Sequence, residues 1–169
     1  MRFETLYLEL VDSTDMIRAL LAGITQAEAQ VKPNADSWSV LETLCHLVDE
    51  EREDFREHLD LIVNRPGGEW HRIDPEGWVK SRRYNEQDFR QTRDRFFNER
   101  SKSLDWLKGL SDADWDRVYN DGPRAMRAGD MFASWIAHDN LAVRQLTELR
   151  RLRIEGAVKP YDPGYAGDW

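Results

Sequence analysis

At 169 residues the chain has the length of one domain, enough to bury a core without disulfide staples. A net charge of −8 and a pI near 5.1 argue against nucleic acid as a partner, because phosphate binding relies on clustered Lys and Arg. The single cysteine excludes an internal disulfide and fits a reducing cytoplasm, no apolar run approaches the ~18 residues of a membrane span, and Glu4, Glu9, Asp12 and Asp15 break up any leader-like start.

Helical periodicity runs first from Phe3 to Ala22, with Leu6, Leu10, Ile17, Leu20 and Leu21 inward and Gly23 as the stop. Thr25 and Glu28 have capping-box spacing, which predicts a short turn over Gln26 to Gln30. After the break at Pro33-Asn34-Ala35-Asp36, a second long helix is predicted from Ser39 to Val63. Its apolar stripe is Leu41, Leu44, Val48, Phe55, Leu59 and Ile62. Arg65 to Tyr84 cannot be one helix, because Pro66, Gly67, Gly68, Pro75 and Gly77 interrupt it. Its Trp70, Trp78 and Tyr84 predict a long loop folded onto the body.

A third helix is expected from an Asn85 cap to Leu110, with Phe89, Phe96, Phe97, Leu104 and Leu107 as its apolar set. Ser111 and Asp114 mark a short capped turn, and Asn120-Asp121-Gly122-Pro123 marks a sharper one. Asp130 is the expected cap of a fourth helix reaching Arg153, with Met131, Trp135, Ala142, Leu146 and Leu149 on one side. Four amphipathic helices with short capped turns predict an all-α four-helix bundle over residues 1–155, with an extended tail over 156–169. The turn segments are too short and polar for a sheet.

The most legible helix start is Trp38-Ser39-Val40-Leu41-Glu42, where Ser39 and Glu42 have capping-box spacing and Trp38 can staple the entering chain. Two turns on, His46 leaves the apolar stripe for a sector shared with Glu42, Asp49, Glu50 and Glu53. It reads either as a surface histidine among solvating carboxylates or as a metal ligand with Glu50, one turn beyond, as companion. His138 falls on the apolar side of the fourth helix, the place of a hydrogen-bonded core histidine or of a ligand. Cys45 reads as a small buried hydrophobe. The arginines from Arg90 to Arg100, diluted by Asp94 and Glu99, read as a solvated face.

Trp38-Ser39-Val40 followed by Leu44-Cys45-His46-Leu47 resembles the second-helix signature of the DinB/YfiT-like family. The stretch His138-Asp139-Asn140-Leu141-Ala142-Val143-Arg144-Gln145-Leu146 is similar to that family's last-helix pattern, His-x-x-x-His-x-x-Gln-Leu. The resemblance covers nearly the whole chain. It implies a four-helix bundle with a long connection between its second and third helices, in which three histidines hold a divalent metal, commonly nickel or zinc. By position His46 and His138 match, and the third histidine is replaced by Ala142. Glu50, His71 or Asp49 could then complete the site, or the metal could be weak or absent.

The activity implied is that of a cytoplasmic, homodimeric metal-dependent enzyme acting on a small molecule. A thiol-dependent S-transferase drawing on a low-molecular-weight thiol, or a related hydrolase, fits best. The alternative is a non-catalytic protein of the same fold that uses the degenerate site as a pocket for a small molecule or partner.

Overall fold

The computed structural model describes residues 2–120 and 125–167. The turn expected at Asp121 to Pro123 and the terminal Trp169 lie outside them. Helix α1 (Phe3–Leu20) ends where Gly23 takes a positive φ of 73°, a conformation that costs glycine little. Helix α2 (Gln26–Ala29) carries the complete Thr25–Glu28 capping box.

The second long helix is continuous but not uniform. It runs as α3 (Val40–Asp49), a π-helical segment (Glu50–Phe55) and α4 (Arg56–Asn64). At its start the Ser39 N–H donates to Glu42 Oε2 at 2.8 Å, and the Glu42 N–H donates to Ser39 Oγ at 3.1 Å. The connection that follows contains a short helix, α5 (Pro75–Ser81), where the Pro and Gly pattern predicts loop. Asp74 caps it by accepting the Gly77 N–H, and a Cβ at Gly77 would collide with that carboxylate. The loop does lie on the body, with Trp70 and Trp78 packed against the core.

Helix α6 (Phe89–Lys108) is capped by Asp88, not by the expected Asn85. Asn85 instead accepts the Ser39 hydroxyl at 2.6 Å and donates to the Gln30 carbonyl, tying three segments together. A two-residue antiparallel ladder, β1 (Val118–Tyr119) with β2 (Met126–Arg127), forms where no strand was expected. Helix α7 (Ala128–Ala157) starts at Ala128 with no side-chain cap. Asp130 sits in its first turn and pairs with Arg127. The helix also extends past the expected end into the predicted tail, whose later residues include a short 3-10 turn, Gly164–Ala166.

Helix α1 packs along α7 and α3 along α6. Two apolar cores result, and every long helix passes from one to the other. Leu10, Phe55, Leu107 and Trp135 belong to the first, and Ile17, Val48, Phe96 and Ala142 to the second. Between them each helix turns polar residues inward: Ser13 and Thr14, then Glu50 and Glu51, then Arg100 and Ser103, and finally Asp139. The buried middle of the bundle is a polar belt. No helix among the described residues is long and apolar enough to cross a membrane.

Candidate metal centre

The belt has two parts, and the π-helical segment feeds both. Asp49, Glu50 and Glu51 are consecutive yet all buried, each aimed at a different partner. Asp49 accepts the Tyr84 hydroxyl at 2.6 Å and pairs with Arg82 at 2.7 Å. Glu51 binds Arg100 through both oxygens at 2.8 Å. Glu50 turns toward two histidines. A regular helix spreads successive side chains by about 100°, and π-bulges recur where a functional side chain must be re-aimed.

His46 on α3 and His138 on α7 meet with their Nε2 atoms 3.0 Å apart. On the other side of the ring, His46 Nδ1 lies 3.9 Å from Glu50 Oε1. One ligand atom from each of His46, Glu50 and His138 falls within 4.8 Å of the others. The rings of Trp38, 4.9 Å from His46, and of Phe55, 5.1 Å from His138, form apolar walls. Trp38 also lines an open groove of about 970 Å³ together with Leu141, Arg144 and Gln145.

Electrostatics match that enclosure. Burial, then the neighbouring His138, lowers the His46 pKa to about 4, and burial lowers that of His138 as well. Both imidazoles are therefore neutral at neutral pH and keep a lone pair to offer. Burial, reinforced by hydrogen bonding to Asp54 and by the charges of Asp54 and Asp49, pushes the Glu50 carboxyl up to about 9. His46 Nδ1 and Glu50 Oε1 are buried polar atoms without a hydrogen-bond partner among the described residues. Two neutral imidazoles and a buried carboxyl among other carboxylates form a donor set that suits a divalent metal.

The structure gives the remaining candidates other work. His71 has an exposed side chain, and its carbonyl accepts from His58 Nε2 at 2.9 Å. His58, 1% exposed, stacks on Trp70 with ring centres 4.0 Å apart and meets Asp54 at 2.6 Å, so it fastens the long loop to α4. Ala142 is buried in the second core and offers no ligand atom. Cys45 is buried beside the Tyr84 carbonyl, and burial pushes its thiol up to about 12, which makes it a poor nucleophile.

Sequence reasoning missed Arg100, assigned to a solvated face but fully buried. Arg100 donates to Glu51 through Nε and Nη2 and to Asp139 through Nη1 and Nη2, the latter pair at 2.6 and 2.9 Å. Ser13 and Trp135 donate to the same two carboxylates. The signal was present, since Arg100 falls on the buried stripe between Phe96 and Leu107.

Residues 9–146 match the sequence model of the DinB superfamily. Among solved structures, the chain is similar to YfiT from Bacillus subtilis, with a TM-score of 0.76 over 89% of this chain and 87% of that one, at 14% identity. That protein is described as a probable metal-dependent hydrolase with an unusual four-helix bundle topology. No curated protein matches the chain in sequence.

Proposed function

The chain belongs to the DinB superfamily, and on that footing we propose that it is a metal-dependent enzyme whose divalent ion is held by His46, His138 and Glu50. The observation that carries this reading is the convergence of two neutral imidazoles on a buried carboxyl whose Oε1 has no hydrogen-bond partner among the described residues. Glu50 supplies the ligand that Ala142 cannot. Nickel or zinc suits such nitrogen-rich sets.

A cation at this point would lower the pKa of a thiol or water and present the resulting anion to an electrophile. The protein's own groups do the rest. His46 and His138 contribute lone pairs without having to lose a proton, whereas Glu50 is the group that releases one as a cation is taken up. Trp38 and Phe55 keep bulk water from the imidazoles, and the groove on the far side of Trp38 receives the small-molecule substrate. Transfer of a low-molecular-weight thiol is the reaction proposed, with hydrolysis by the same device as its close relative. The description of YfiT as a probable metal-dependent hydrolase supports the hydrolytic form.

The second reading, a non-catalytic pocket, is favoured by the buried alanine at position 142. Elemental analysis of the native protein beside His46→Ala and Ala142→His separates the two. One equivalent of metal in the native protein that vanishes in His46→Ala is the expected result. No metal in the native protein but one equivalent in Ala142→His would mean a scaffold that has lost its ion, and the enzyme reading would fall.

A further inference from the structure

A second site lies at the other end of α7. Leu20, Ile24, Val40, Leu146 and Leu149 enclose much of a cavity of about 330 Å³ where the end of α1, the α2 turn and the last part of α7 meet. It is separate from the histidine cluster, because Leu146 stands ~12 Å along α7 from His138 at ~1.5 Å per residue. The cavity opens to solvent past Val31 and Leu152, so a ligand can enter it. It falls at the lower end of small-molecule pockets. At the ~30 Å³ that a water-sized group occupies in a liquid, it has room for roughly eleven non-hydrogen atoms.

Its polar side is cationic in a molecule that is strongly anionic overall. Lys32, Arg150 and Arg153 line the cavity. Lys32 is taken up by Glu42 at 3.2 Å, and Arg153 by Glu28 at 2.8 Å. Arg150 has no carboxylate partner among the described residues, so three cations meet two carboxylates there. Arg153 is also held in place, since the Glu28 that binds it is the same carboxylate that closes the α2 capping box. Its Nε is a buried donor with no acceptor among the described residues. That nitrogen is closed off from the cavity, so what Arg153 offers a ligand is the rest of its guanidinium.

We propose that this cavity binds a medium-chain carboxylate, an aliphatic body of about seven or eight carbons lying on the leucine wall with its anionic head on Arg150, beside Arg153. Longer chains exceed the volume of the pocket, and an uncharged chain of equal length leaves Arg150 without an anion.

The test is titration calorimetry on the full chain with octanoate, and with octanol as the uncharged equivalent. Octanoate should saturate one site with a Kd on the order of 0.1 mM, within reach of a ligand of ten non-hydrogen atoms. Octanol should bind at least tenfold more weakly. Arg150→Gln should weaken octanoate about tenfold and leave octanol unchanged, as expected for the loss of one charged hydrogen bond. Leu149→Trp, with its fold checked by circular dichroism, should abolish both. His46→Ala should bind octanoate like the native protein, which keeps this result independent of the metal centre. The proposal falls if octanoate fails to saturate by 10 mM, if octanol binds as well as octanoate, or if Arg150→Gln changes nothing.

Discussion

Glu50 and His46 share one pocket but are shifted in opposite directions, and their titrations pull stability in opposite directions. Glu50 holds its proton up to about pH 9 in the folded chain, whereas its ordinary pKa is 4.5. Between those values the folded state binds a proton that the unfolded chain has lost, so stability falls as pH rises through the window. His46 titrates near pH 4 instead of 6.5, so from 4 to 6.5 the unfolded chain holds the extra proton and stability rises with pH. The two trends oppose one another up to about pH 6.5, and above it Glu50 alone remains. The metal-free protein should therefore lose thermal stability between about pH 6.5 and 9, and Glu50→Gln should flatten that decline. Melting curves on chelator-treated protein across the range check it. A native protein whose Tm is level there, or a variant that declines in parallel, would remove the buried Glu50 carboxyl from the account.

The element that sets the site is the π-helical segment, held from outside the site by Arg100. Glu51 follows Glu50 and Asp139 follows His138 in sequence, so the Arg100 guanidinium grips the neighbours of two candidate ligands and fixes α7 against the segment. All three side chains are about 1% exposed. Breaking a buried ion pair from one side leaves uncompensated charge, at a cost of about 3–5 kcal/mol. Arg100→Leu should lower stability by that amount in urea titrations. Adding Glu51→Gln and Asp139→Asn should return part of it, because the stranded charges are then gone. A loss below about 1 kcal/mol in the single variant would mean that the clamp does not hold the belt.

At the scale of the whole molecule, what could be read in the sequence follows how local each determinant is. The capping boxes at Thr25 and Ser39 and the apolar stripes depend on residues a few positions apart, and they form as their spacing predicts. The all-α bundle follows from those stripes. Less local features were not legible. Asn85 looked like a cap because its type suits one, but its partners are Ser39 and Gln30, far away in sequence. Burial of Arg100 depends on carboxylates from two other helices, and the inward turn of Glu50 and Glu51 depends on a helix widening that no residue type announces. The inward place of His138 could be read from its own helix, but its meeting with His46 joins residues 92 positions apart.

The belt also governs how the molecule should melt. Each long helix belongs to both apolar cores, so neither core can unfold while the other keeps its helices intact. A ligand that grips the belt should stabilise both together. At a free metal concentration of 100 Kd the gain is about 2.7 kcal/mol. For a domain of this length each kcal/mol moves Tm by about 2–4 °C, so the shift should be about 5–10 °C. Calorimetric scans with nickel or zinc and with chelator should show one transition that moves as a unit, and His46→Ala should show no movement. Two transitions with only one of them shifted would mean that the cores fold separately, and the belt would then be a local site instead of the hinge of the fold.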